Sequence, residues 1–180
     1  MQFKKNKFII FYVFNIALLI LILLFAIPFS KLLKEINLGD NSYVKDQVII
    51  NPEAKSSKIL DRTINIKFIA KVDNSLNWEF KSLENDTSIR IGENKIIEYE
   101  GINLSDKTIT STAIFLATPE SIAPYIIKTE CFCFSEQILK PGEKKIFTAV
   151  FFIDPSIDSD NNFKDLKDLV FTYEFSEYKS

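Results

Sequence analysis

The chain has 180 residues, with 22 Lys and Arg against 24 Asp and Glu, two Cys, four Gly and no His. Without His there is no Ser/His/Asp or Cys/His pair, and four scattered glycines make no phosphate-cradling loop, so catalysis and nucleotide binding of those kinds are excluded. Lys4, Lys5 and Lys7 precede residue 30 and no acid does, which leaves the remainder with five more acids than bases; such a surface repels phosphate backbones, and nucleic acid is not an expected partner.

Residues 8–29 are almost unbroken hydrophobe, interrupted only by Asn15 and Pro28. A helix needs about 20 such residues to cross the hydrocarbon core. A cleaved signal has a shorter apolar region followed by a small-x-small site, which Ala26-Ile27-Pro28 does not resemble. The stretch therefore reads as a retained signal-anchor. Three lysines on one flank, against Lys31 and Lys34 partly offset by Glu35 and Asp40, keep residues 1–7 cytoplasmic. This predicts a single-pass type II protein of the cell inner membrane, with its C-terminal domain on the periplasmic side.

Residues 30–60 mix charges, Asn41-Ser42, Pro52 and Ser56-Ser57 with one apolar patch, Val48-Ile49-Ile50, and read as a stalk carrying one short strand. From residue 61 the apolar period becomes two. Ile64, Ile66, Phe68, Ala70 and Val72 alternate with polar residues, and Leu76, Trp78 and Phe80 repeat the pattern after the turn residues Asp73-Asn74-Ser75. Similar runs are predicted at 87–91, 95–100, 107–117, 125–134, 145–153 and 168–176, separated by Gly92, Gly101, Pro119, Pro124, Pro141-Gly142 and Asp154-Pro155. About eight short strands with regular turns predict an all-β fold, an antiparallel sandwich over residues 61–180, with Trp78 as a large core residue. No long stretch after residue 37 is helical in period; residues 162–168 allow one turn.

The only two cysteines, Cys131 and Cys133, lie one residue apart inside the predicted strand 125–134. On a strand, residues i and i+2 share a face, so the thiols share one face while Phe132 and Phe134 share the other. Their Cα atoms would stand about 6.6 Å apart, the upper end of what a disulfide tolerates. Three readings are open. Two thiolates suit a monovalent soft ion such as Cu(I), whereas zinc normally takes four ligands and, without His, would have to draw the other two from carboxylates or a second chain. A dithiol also exchanges electrons, although low-potential pairs usually sit as Cys-x-x-Cys at a helix start. Free Cys is, finally, an ordinary small core hydrophobe.

Lys128-Thr-Glu-Cys131-Phe-Cys133-Phe134-Ser-Glu136-Gln137-Ile-Leu139-Lys-Pro141-Gly142-Glu143, then Phe151-Phe152-Ile-Asp154-Pro155, resembles the CtaG family of cytochrome c oxidase assembly proteins. Trp78-Glu79-Phe80, Asn103, Pro119 and the single anchor before the sandwich extend the resemblance to nearly the whole chain. It implies an immunoglobulin-like domain that is not an enzyme. The implied role is that of a Cu(I) chaperone serving the copper-B site of oxidase subunit I at a late assembly stage, with Cys131 and Cys133 as metal ligands. Subunit I, the inner membrane and, through the Cys131-Phe-Cys133 region, a second copper-loaded copy of the chain are the expected partners. The alternative is an extracytoplasmic thiol-disulfide protein acting on oxidase or copper-site cysteines. One departure stands out: the family usually carries a third cysteine, thought to help load or transfer copper, at the position of Lys34. Lys128, beside the thiols, reads as a solvated lysine or as a cation offsetting thiolate charge.

Overall fold

The computed structural model describes residues 14–16, 43–45 and 48–178, and the chain divides into two units, residues 1–40 and 41–180. In the first unit only residues 14–16 are described, and they are helical and exposed. The expectations for residues 1–7, for the rest of 8–29 and for Lys34 lie outside the described residues. Among the described residues no helix is long and apolar enough to cross a membrane.

The second unit is built from eleven strands, and alternation explains most of them. They are β1 (Tyr43–Lys45), β2 (Val48–Ile50), β3 (Thr63–Val72), β4 (Trp78–Ser82), β5 (Asp86–Arg90), β6 (Lys95–Asn103), β7 (Ile109–Thr118), β8 (Ile126–Cys131), β9 (Gln137–Leu139), β10 (Lys144–Ile153) and β11 (Asp168–Glu177). One sheet has the order β1-β2-β8-β10-β6-β4 and the other β5-β3-β11-β7-β9. In β3 the side chains of Ile64, Ile66 and Phe68 are buried while Thr63, Asn65 and Lys67 are exposed, as a half-buried pleat requires. Leu169, Phe171, Tyr173 and Phe175 do the same in β11. The buried faces of the two sheets meet in an aromatic core: Phe80 of β4 stacks edge-on against Phe175 of β11 at 4.8 Å, and Trp78 lies 5.3 Å from the same ring.

Three features depart from the expected sandwich. First, the sheets are not wholly antiparallel, because β3 pairs parallel with β11 and β2 pairs parallel with β8. Second, β3 and β4 do not pair as neighbours but lie in opposite sheets, so the Asp73-Asn74-Ser75 turn carries the chain across the core. Third, the stretch expected to be a stalk contributes β1 and β2 to the first sheet, with Val48 and Ile50 fully buried. The residue 162–168 turn is realised as a 3-10 turn at Asn161–Phe163.

Candidate metal or dithiol centre

The cysteine strand is shorter than its apolar run. β8 ends at Cys131, opposite Ala149 of β10, and Phe132–Phe134 form a 3-10 turn. The two cysteines therefore do not share a strand face. A 3-10 turn rises about 2.0 Å per residue against about 3.3 Å in a strand, and it draws the two Cα atoms to 5.1 Å, where the sulfurs are joined as a disulfide. The expectation that strand geometry disfavours an internal bridge is overturned by this turn. The backbone N–H of Cys133 also points at Cys131 Sγ, 3.2 Å away. Phe132 does not face outward. It is buried against Tyr99, Phe147, Tyr173 and Phe175 with ring centroids 4.8 to 5.6 Å away.

A second irregularity places the lysine. In a regular strand residues 128 and 131, an odd number apart, point to opposite faces. Pairing of β8 with β10 runs Ala149 to Cys131, Val150 to Glu130, then Phe151 to Lys128, skipping Thr129. That extra residue is a β-bulge, which resets the alternation. Lys128 and Cys131 thereby both face the core, and Thr129 marks the bulge with a hydroxyl hydrogen bond to the Val150 carbonyl at 3.4 Å. Lys128 is only 2% exposed, so the solvated reading fails. Its Nζ stands 3.8 Å from Cys131 Sγ and 3.8 Å from Cys133 Sγ. The opposite sheet closes the pocket: the Phe115 ring centroid lies 3.2 Å from the ammonium and that of Tyr173 4.6 Å, a cation over aromatic faces. Tyr173 Oη is 3.8 Å from Cys131 Sγ. Burial, then the nearby Tyr99, hold the Tyr173 hydroxyl well above its ordinary pKa, so it stays protonated beside the sulfurs.

Gln137 fixes the turn from below. Its amide Nε2 donates to the Phe132 carbonyl at 3.0 Å and to the Ser135 carbonyl at 3.3 Å, while its Oε1 accepts from Lys145 Nζ at 2.8 Å. Both it and Tyr173 were invisible as site residues in the sequence. Tyr173 reads as one more inward residue of an alternating strand, and Gln137 as a polar residue after a motif. Among the described residues no group of three or more Cys, Asp or Glu side chains gathers to hold a metal. The sulfur pair is joined as a disulfide, and a disulfide offers no thiolate to a metal ion.

The two-sheet β domain thus buries its two cysteine sulfurs beside one ammonium. Residues 28–177 match the family described as cytochrome c oxidase assembly protein CtaG/Cox11, and the chain belongs to that family. It is 41% identical over 123 residues to a protein named cytochrome c oxidase assembly protein CtaG from Brucella anthropi, covering 68% of this chain and 61% of that one. The protein of the same name from Brucella ovis is 40% identical over the same length, and that from Paracoccus denitrificans 37%, with 63% of the latter covered. The match thus spans about three fifths of the length of these relatives.

Proposed function

We propose that this chain is a membrane-anchored Cu(I) chaperone for the assembly of cytochrome c oxidase. Its domain is an immunoglobulin-like sandwich on the periplasmic side of the inner membrane, tethered by residues 8–29, and it serves the copper-B site of subunit I. It performs no catalysis. The observation that carries this reading is the convergence of Cys131 Sγ, Cys133 Sγ and Lys128 Nζ in one buried pocket; family membership supplies the destination. The bridge must first be opened. An external dithiol reduces it by thiol–disulfide exchange, leaving as its own disulfide and giving two thiols here, and Cu(I) then displaces both protons to bind two thiolates. Loaded copies pair through the Cys131-Phe-Cys133 region, a step that must uncover sulfurs of residues only 6% exposed.

The decisive measurement is copper bound per reduced full-length chain. Close to one equivalent of Cu(I), lost in Cys131→Ser and in Cys133→Ser, is the expected result. Full stoichiometry in the double Ser variant would falsify the assignment. The disulfide itself favours a second reading, a dithiol that exchanges with cysteines of the oxidase. In that case the reduced chain would reduce a model disulfide protein at a rate unaffected by a Cu(I) chelator.

A further inference from the structure

The sulfurs account for the binding of a soft ion but not for the ammonium placed beside them. Burying Lys128 beside aromatic rings costs solvation, and the bulge at Thr129 turns it inward, toward the sulfurs. We infer that Lys128 selects the charge of the ion the pocket accepts, favouring monovalent over divalent soft ions. The inference rests on the reading of Cys131 and Cys133 as ligands.

The charges decide the direction. Two thiolates with a monovalent ion form a complex of net charge −1, which an ammonium 3.8 Å from each sulfur stabilises in a low-dielectric site. Two thiolates with a divalent ion are neutral, and the ammonium gains nothing from them. Any further charge near Lys128 acts on both complexes through the same one-charge difference, so removing the ammonium shifts preference toward the divalent ion in every case. The same difference disfavours oxidation of bound Cu(I) to Cu(II) in place. Lys128 is therefore a specificity-determining residue, distinct from the ligands.

Ag(I) and Cd(II) are the probes, because they share a closed-shell electron count, take no part in redox chemistry and differ by one charge. Their affinities are measured by competition with a small thiol on the reduced full-length chain, its Lys128→Leu variant, which removes the charge without adding a donor atom, and its Lys128→Arg variant, which keeps the charge. In Lys128→Leu the ratio of Ag(I) to Cd(II) affinity should fall at least about tenfold, while Lys128→Arg retains it. A merely packing role would weaken both ions alike and leave the ratio unchanged, which overturns the inference while sparing the function. A parent chain that takes up neither Cu(I) nor Ag(I) through its cysteines overturns both.

Discussion

Gln137 is the residue on which the shape of the sulfur turn most directly depends. It is 7% exposed and satisfies a carbonyl that β8 would otherwise have presented to a strand partner, that of Phe132 between the two cysteines. Lys145 orients its amide by occupying Oε1. Gln137→Ala leaves the Phe132 carbonyl short of a donor and opens a void, and should lower stability by about 2 kcal/mol in chemical denaturation. If the turn is held by Gln137, reduced Cys133 should also react faster with a small alkylating agent in that variant. Unchanged alkylation in a destabilised variant would place the effect elsewhere. Asn103 is a second such anchor, fully buried at the far end of β6, where its Nδ2 donates to the Lys107 and Leu139 carbonyls and its Oδ1 accepts from Ser105.

At the level of elements, the strands hold one another through features with opposite pH signatures. Lys81 of β4 and Lys144 of β10 flank Glu100 of β6 at 3.1 and 2.5 Å, tying three adjacent strands across the outer face of the first sheet. The Lys144 hydrogen bond first, then that of Lys81, holds the Glu100 carboxyl below its ordinary value of 4.5, and Glu100 in turn raises Lys81 above 10.5. A depressed carboxyl contributes stability that is complete above pH 4.5 and is lost as pH falls through its folded value. Glu100→Gln should therefore flatten the fall in melting temperature on acidification below about pH 4.5, most visibly at low salt. An unaltered acid limb would show that the cluster contributes nothing. The loop after β5 is fixed by sterics instead. Gly92 has φ +87°, and a Cβ there would lie 2.0 Å from the Lys58 carbonyl oxygen, so Gly92→Ala should cost about 3 kcal/mol or more in the same denaturation assay. Most of these elements were legible: period-two runs at 64–72, 95–100, 145–153 and 168–176 appear as β3, β6, β10 and β11 within a few residues. Their partners were not. Alternation tells which face of a strand is buried but not which sheet receives it, so β3 and β4 read as neighbours. The centre was half legible for the same reason: the cysteines could be named, but one bulged residue, set by pairing with β10, and one 3-10 turn, held by Gln137, decide where Lys128 and Cys133 point.

On the scale of the whole molecule, the second sheet is closed by β11. β11 lies between β3 and β7, pairing parallel with one and antiparallel with the other over most of its length. Strands 100 residues apart in sequence thus become neighbours, and no local hairpin can substitute for the last one. A chain ending at residue 167 should expose both reduced cysteines to alkylation at the rate seen in denaturant, whereas the full chain protects them; protection in the truncated chain would mean that the first sheet folds alone. Tyr173 carries the consequence furthest. It covers Cys131 from 42 positions downstream, so during synthesis the sulfurs emerge, and meet whatever oxidants and metals surround them, before the residue that shelters them has been made. The sulfur pair is thus open to oxidation before β11 arrives, and a bridge formed at that stage is the one that reduction has to open before the pair can take up an ion.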